Sequence, residues 1–379
     1  MNRLMLLLLC LACPLAATAY PTYPADPLKP GAYPVGVTTT VFVDHSRIDP
    51  ATKEPRTLVT EIWYPATDDA RGLPKNKLSQ FFPGGVTPSL EQLIKLAYRK
   101  PIAEIDAQFW NDAIRDARVR DGKFPVLIFS HGNRGTRTQN TFWCDFLASR
   151  GYVIVSADHT GNAMVTILNG KPVLYQNEGR EQSWKDRPKD MSFLLDQMTL
   201  WANGADSRFA GKLDLSKVAA TGMSFGSMTA IRVADEDPRF KAVLAMSGAP
   251  ESHTNLLVPS LYMIGSEDTT IKAEGNARVR ENYGKHTGAG FLLEMKNGGH
   301  YSFTDMFKLN ANFGDGIGEG KRRATGEAFK FTSMEKTYAL INAYSLAFLG
   351  TYLKGEKDWL PYLQQNHWAD ELSWQSKGL

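Results

Sequence analysis

The chain has 379 residues, with 43 Lys and Arg against 40 Asp and Glu; 43% are hydrophobic and 22% charged. This is ordinary globular usage, which excludes a disordered chain, a collagen-like fibre and a disulfide scaffold. A net charge of +3, with no long block of like charges, leaves no electrostatic footprint for nucleic acid or an acidic membrane.

The chain opens on a targeting signal. Arg3 supplies a positive n-region, residues 4–13 an apolar h-region, and Ala17-Thr18-Ala19 a small-x-small cleavage site. The expected product is exported, periplasmic or secreted, with residues 1–19 removed and 20–379 forming one domain. Cys10 and Cys13 leave with the leader, so Cys144 stands alone and no intrachain disulfide is expected. Past the leader no apolar run reaches the roughly 18 residues that a membrane span requires.

Residues 20–36, rich in Pro, Gly and Tyr, read as an extended lead-in. Eight short apolar or β-branched runs then predict strands at 38–43, 58–64, 125–129, 152–157, 217–221, 241–246, 260–264 and 291–295. The first two suit an antiparallel edge. The last six are almost continuously apolar, as strands buried on both faces are. Helices are expected at 138–149, 225–235, 272–283 and 334–353. A further apolar helix stripe runs through Met191, Leu194, Leu195, Met198 and Trp201. Strand and helix alternate from 125 onward, which predicts right-handed βαβ units and an eight-stranded, mostly parallel sheet flanked by helices. Residues 65–123 interrupt that alternation. Predicted helices at 90–98 and 102–119, with Pro83-Gly84-Gly85 as a break, make this segment a helical insertion. Residues 309–328 read as a Gly-rich loop containing Lys321-Arg322-Arg323.

The sharpest motif is Gly222-Met223-Ser224-Phe225-Gly226, which follows one predicted strand and opens a helix. A nucleophile elbow needs this context: the turn is tight, small flanking residues relieve crowding, and the serine hydroxyl stands at a helix N-terminus. Ser224 is the candidate nucleophile. A serine hydroxyl needs a base, expected to be a histidine after the last strand. Of seven histidines, His300 in Asn297-Gly298-Gly299-His300 follows the strand at 291–295, while His286 and His367 read as solvated. Asp268, after the strand at 260–264, is the candidate orienting acid, with Glu267 as its rival. His131-Gly132-Asn133 follows the strand at 125–129, where a loop lending an oxyanion-hole amide belongs. The expected donors are the backbone N–H groups of Asn133 and Phe225, and the His131 side chain reads as a brace for the loop. Neither His-Glu-x-x-His nor a Cys/His cluster occurs, so no metal site is expected. Residues 316–321 imitate a phosphate loop, but Asp315 occupies its first glycine position and no strand precedes it. Trp184, Tyr301 and Phe303 could line a cavity.

Together these stretches resemble the α/β-hydrolase superfamily. More narrowly they are similar to the plasma-type platelet-activating factor acetylhydrolases and the bacterial relatives often called predicted dienelactone hydrolases. The matching stretches are 33–37, 58–65 (ending Glu61-Ile62-Trp63-Tyr64-Pro65), 124–133, 146–158, 187–195 and 222–226, so the resemblance spans about 33–305. It implies an α/β-hydrolase fold and a serine esterase mechanism without a cofactor, acting on a small-molecule or lipid ester. The expected function is hydrolysis of carboxylic esters, short-chain acyl or phospholipid-like, by a Ser224-His300-Asp268 triad through an acyl-enzyme. A lactone or dienelactone hydrolase and a cutinase-like polyester hydrolase would use the same triad. An amidase or peptidase is a further alternative. A non-catalytic binding protein of this fold usually lacks a triad member, and none is missing here. Two departures stand out. Met223 replaces the usual elbow histidine, and the strand-six position where the acetylhydrolases carry their acid reads Ala245-Met246-Ser247-Gly248.

Overall fold

The computed structural model describes residues 23–82, 84–109, 111–251 and 256–379. The expected leader with its cleavage site, Pro83 of the expected break, and His253 lie outside the described residues.

Strands β1 (Val35–Ile48) and β2 (Pro55–Pro65) pair antiparallel. Helices α1 (Pro88–Tyr98) and α2 (Ile102–Gln108) follow, then the short strand β3 (Ala113–Arg115). The alternating part begins with β4 (Phe124–Ser130), α3 (Thr141–Ser149) and β5 (Val153–Ala157). A hairpin of β6 (Val165–Leu168) and β7 (Lys171–Leu174) leads into α4 (Arg180–Leu200). Next come β8 (Leu213–Met223), α5 (Phe225–Glu236), β9 (Phe240–Met246) and β10 (Ser260–Gly265). Helix α6 (Lys272–Lys285), β11 (Gly290–Met295) and α7 (Met306–Leu309) precede a second hairpin, β12 (Glu319–Lys321) and β13 (Ala328–Lys330). Helix α8 (Met334–Leu349) and β14 (Leu372–Lys377) close the chain.

The main sheet has ten strands in the order β14-β11-β10-β9-β8-β4-β5-β2-β1-β3. Its centre, from β11 to β5, is parallel throughout. Side chains alternate faces along each strand, so the central strands feed two cores. Leu127, Phe129 and Leu244 pack towards α3 and α8, while Val126, Ile128 and Val243 pack towards α4, α5 and α6. Met191, Leu194, Leu195 and Met198 are buried on the second face, as the helix stripe predicts. The parallel strands end on one edge, where the open loops of an α/β sheet form binding sites.

All eight predicted strands exist, and β3 and β14 extend the sheet at its two ends. Three residues are too few to show a period, and β14 is a mostly polar edge strand, so neither announces itself. The helix expected over 102–119 stops at Gln108. Asn111 donates to the Asn76 carbonyl and accepts from the Ala113 N–H; such side-chain bonds compete with helical ones, and Ala113–Arg115 then pairs with β1. The loop expected at 309–328 is more structured than its glycines suggest. It begins the β12–β13 hairpin and buries Gly316 and Ile317. His286, expected to be solvated, is buried beside Tyr262 with Nε2 3.3 Å from the Ala289 carbonyl; His367 is exposed.

Candidate active site

Ser224 sits between β8 and α5 with φ 57° and ψ −119°, in the positive region that non-glycine residues rarely occupy. Its N–H donates to the Met246 carbonyl at 2.7 Å, which pins the turn to β9. The flanking glycines are required by space. A Cβ on Gly226 would lie 1.8 Å from the Ser130 carbonyl oxygen, and one on Gly222 would lie 2.3 Å from the Gly226 oxygen. The strand-to-helix turn can therefore pack against the end of β4 only with glycine at both places. The half-buried Ser224 hydroxyl is left facing a cavity.

His300 follows β11 in a short 3₁₀ turn, and Asp268 follows β10. Their loops touch backbone to backbone: a Cβ on Gly265 would lie 2.5 Å from the Gly298 carbonyl. That approach brings the three candidates together. His300 Nε2 is 3.0 Å from Ser224 Oγ, and His300 Nδ1 is 2.7 Å from Asp268 Oδ2. The other oxygen, Oδ1, accepts from the Thr270 and Ile271 N–H groups at 2.9 and 2.8 Å. Burial alone would raise the Asp268 carboxyl. The His300 imidazole, the Ser247 hydroxyl and the Ile271 N–H outweigh it and hold the group below the usual carboxylate range. A carboxylate that stays ionised fixes Nδ1 as the protonated nitrogen and leaves Nε2 free to accept the serine proton.

Glu267 points elsewhere. It pairs with Arg322 at 3.2 Å and accepts from the Arg323 N–H at 3.0 Å, tying the β12–β13 hairpin to this loop.

Where the oxyanion loop is expected, a Cβ on Gly132 would lie 3.4 Å from Ser224 Cβ, so this loop lies against the candidate nucleophile. The backbone N–H groups of Asn133 and Phe225 make no hydrogen bond to another described residue. The Gly132 carbonyl, in the same peptide unit as the Asn133 N–H, accepts from the Gly135 N–H at 3.0 Å and lies 2.6 Å from His131 Nδ1. His131 Nε2 accepts from the His159 N–H at 3.1 Å, which leaves the proton on Nδ1. Burial, with Arg187 and His159 beside it, holds the His131 imidazole well below its ordinary range, so it stays neutral. The brace expected of this side chain is what its contacts provide.

Several positioning groups have no sequence motif. Ser247, at the end of β9, donates to Asp268 Oδ2 at 2.7 Å and lies 3.2 Å from His300 Nδ1. Its place at a strand end is a signal, but which side chain it would meet is not. Asp315, in the glycine-rich segment, accepts from the His300 and Thr269 N–H groups, each at 3.0 Å, and from the Thr270 hydroxyl at 2.6 Å. It clamps the loop that carries Asp268 to the loop that carries His300. Arg187, fully buried, bonds the Ser130 hydroxyl and the His131 carbonyl behind the oxyanion loop, and its guanidinium lies 4.8 Å from the centre of the Phe225 ring.

The hydroxyl and imidazole open into a cavity of about 680 Å³. Its apolar wall comes from the 65–123 segment, including Leu78, Phe81, Leu90, Ile94 and Phe109. Of the three aromatic candidates, Tyr301 lines this cavity; Phe303 is in the core, and Trp184 stands edge-on to Phe225 at 5.9 Å between ring centres. Among the described residues no cluster of metal-ligating side chains occurs, and no helix is long and apolar enough to cross a membrane.

A twisted parallel sheet with the serine on a strand–helix elbow, and acid and base on neighbouring strand ends, is the arrangement of an α/β-hydrolase. The chain belongs to the dienelactone hydrolase family, whose model matches residues 114–305, just over half of the sequence. A second model, platelet-activating factor acetylhydrolase isoform II, matches residues 27–189. Among curated proteins, the platelet-activating factor acetylhydrolase of Cavia porcellus is 26% identical over 340 residues, covering 78% of this chain and 73% of that protein. The Bos taurus protein of the same name is 28% identical over 194 residues, 42% of each. Among solved structures, a ferulic acid esterase from Streptomyces cinnamoneus superposes with a TM-score of 0.71 at 23% identity, over 90% of this chain and 96% of that one. The relatives are ester hydrolases, and this chain is one of their class.

Proposed function

We propose that this chain is an exported carboxylic ester hydrolase that works through Ser224, His300 and Asp268 by way of an acyl-enzyme. The observation that carries the reading is the His300 ring, bonded at Nε2 to a strained serine and at Nδ1 to a buried carboxylate. Ser224 Oγ attacks the ester carbonyl carbon and its proton passes to His300 Nε2. Asn133 and Phe225 N–H groups receive the oxyanion, each such donor being worth about 3–4 kcal/mol in the transition state. The intermediate collapses, and the Nε2 proton goes to the departing alkoxide. Water then attacks the acyl-enzyme, giving its proton to Nε2, and the acid is released as Ser224 is reprotonated. Asp268 holds the ring in the required tautomer throughout.

The substrates are carboxylic esters, short-chain acyl or phospholipid-like; the acetylhydrolase relatives support the lipid-like end of that range. Membership of the dienelactone hydrolase family favours lactones as a second substrate type for the same triad. The leader pattern at 1–19 supports export, with residues 20–379 as one mature domain. A fluorescent organophosphonate is expected to label Ser224 one to one, and Ser224→Ala to fold while losing about 10⁴–10⁶ in kcat. A panel of 4-nitrophenyl esters of rising acyl length, run beside lactones, reads the substrate. Labelling elsewhere, or an active Ser224→Ala protein, overturns the mechanism. Mass spectrometry of the exported protein should find an N-terminus at Tyr20.

A further inference from the structure

The cavity in front of Ser224 is almost electroneutral. Of the charged side chains that line it, Arg137 is paired with Glu61 and Asp158, Asp305 with Lys308, and His300 with Asp268. Arg134 is the exception. It lines the same cavity, is exposed, and has no acidic partner within ion-pair distance among the described residues.

Its position is built. Arg134 immediately follows the oxyanion residue Asn133 and takes a positive φ of 58°, with its N–H donating to the Asn162 carbonyl at 3.1 Å. The Asn162 side-chain amide donates to Asn133 Oδ1 at 3.0 Å, and Asn133 Nδ2 donates to the Tyr175 hydroxyl at 3.2 Å. The ring thus held carries the Arg134 guanidinium 5.1 Å from its centre. Tyr301, whose ring lies 5.5 Å from that of His300, lines the same cavity as Arg134. A permanent cation is therefore held over an aromatic platform within a cavity whose inner wall is apolar.

We infer that Arg134 is an anion-binding subsite. The ester this enzyme takes is amphipathic, with an apolar part against the Leu90–Ile94–Phe109 wall and a carboxylate or phosphate paired with Arg134. This rests on the ester-hydrolase reading above and names its substrate class. A guanidinium matches both anions through paired N–H donors.

The test compares esters that differ only in that charge. One pair is mono-4-nitrophenyl suberate and its methyl ester, with the anion on the acyl side. The other is 3-carboxy-4-nitrophenyl octanoate and 4-nitrophenyl octanoate, with the anion on the alcohol side. Octyl phosphate, as a competitive inhibitor, is the phosphate arm. In the wild-type protein at low salt, the anionic member of one pair is expected to have the higher kcat/KM, or octyl phosphate to inhibit more strongly than octanol. Arg134→Gln is expected to lower that anionic-to-neutral ratio about tenfold, Arg134→Lys to keep part of it, and added salt to shrink it. The pair that responds says which half of the ester carries the anion. Ratios equal in wild type and Arg134→Gln across all three arms overturn the subsite while leaving ester hydrolysis in place. If the wild-type protein cleaves none of the esters, the hydrolase reading fails instead. Calorimetric binding of octyl phosphate to the Ser224→Ala protein, with and without Arg134→Gln, then decides the subsite by itself: equal affinities overturn it.

Discussion

Replacing Asp268 with Asn tests the acid assignment, because its two oxygens face opposite kinds of partner. Oδ1 accepts from two backbone N–H groups, while Oδ2 accepts from the Ser247 hydroxyl and faces His300 Nδ1. An amide can satisfy one side only. With its oxygen on the Thr270 and Ile271 amides, its NH₂ faces Nδ1, which must then give up its proton and become an acceptor. Nε2 carries that proton and can no longer take one from Ser224. Turning the amide over restores the tautomer but sets NH₂ against two backbone donors, at about 1–3 kcal/mol for each one left unsatisfied. The productive arrangement thus lies roughly 2–6 kcal/mol above the unproductive one, and each 1.4 kcal/mol is tenfold. Steady-state hydrolysis of 4-nitrophenyl butyrate by Asp268→Asn is expected to show kcat lowered about 10³–10⁴ with little change in KM. Glu267→Gln and Glu251→Gln should each cost less than about tenfold: Glu267 is engaged with Arg322 and Arg323, and Glu251, the first carboxylate in the chain after β9, is exposed beside Arg278. An Asp268→Asn enzyme with more than a tenth of wild-type kcat, or a more damaging Glu251→Gln, would refute the assignment.

Ser247 donates to the same Asp268 oxygen that faces His300, and so lowers that oxygen's basicity. In Ser247→Ala the Asp268 carboxylate loses this donor and is held less firmly against His300, so kcat should fall by about tenfold with KM little changed; an unchanged kcat contradicts this. Gly226→Ala would place a Cβ against the Ser130 and His131 carbonyls and should destabilise the fold by about 3 kcal/mol, seen as a Tm several degrees lower by calorimetry; an unchanged Tm would mean that the elbow is looser than described. Asp145 is fully buried with Oδ1 unpartnered, and burial raises its carboxyl to about 7. Since the folded protein binds this proton more tightly than the unfolded chain, whose aspartates titrate near 3.9, stability falls as pH rises from about 4 to 7, by up to about 4 kcal/mol. Asp145→Asn should therefore be more stable than wild type in urea unfolding at pH 8 and nearly equal to it at pH 4.5. The same increment at both pH values would rule out titration as the cause.

Local patterns were enough to read the central sheet, the elbow and the chain order of the candidate serine, acid and base. Each rests on neighbours in the chain: a buried parallel strand is a continuous apolar run, and an elbow is a strand, Gly-x-Ser-x-Gly and a helix in succession. Asp268 and His300 were legible because each lies a few residues beyond such a strand. The helix expected over 102–119 failed because its end depends on Asn76, a residue 35 positions away that bonds Asn111. For the same reason nothing in the chain showed what Ser247, Asp315 or Arg187 would meet. A serine, an aspartate in a glycine-rich stretch and a helical arginine are ordinary residues until folding sets them against Asp268, the His300 N–H and the His131 carbonyl. The cavity is likewise a property of assembly, since its apolar wall and the candidate reactive groups come from distant parts of the chain. The sequence by itself thus determined the scaffold and where the three candidate groups lie on it, because periodicity and turn chemistry act over a few residues. Only the tertiary structure decided what holds those groups in place and what faces them, because hydrogen bonds and ion pairs form between whatever the packed sheet brings within about 3 Å.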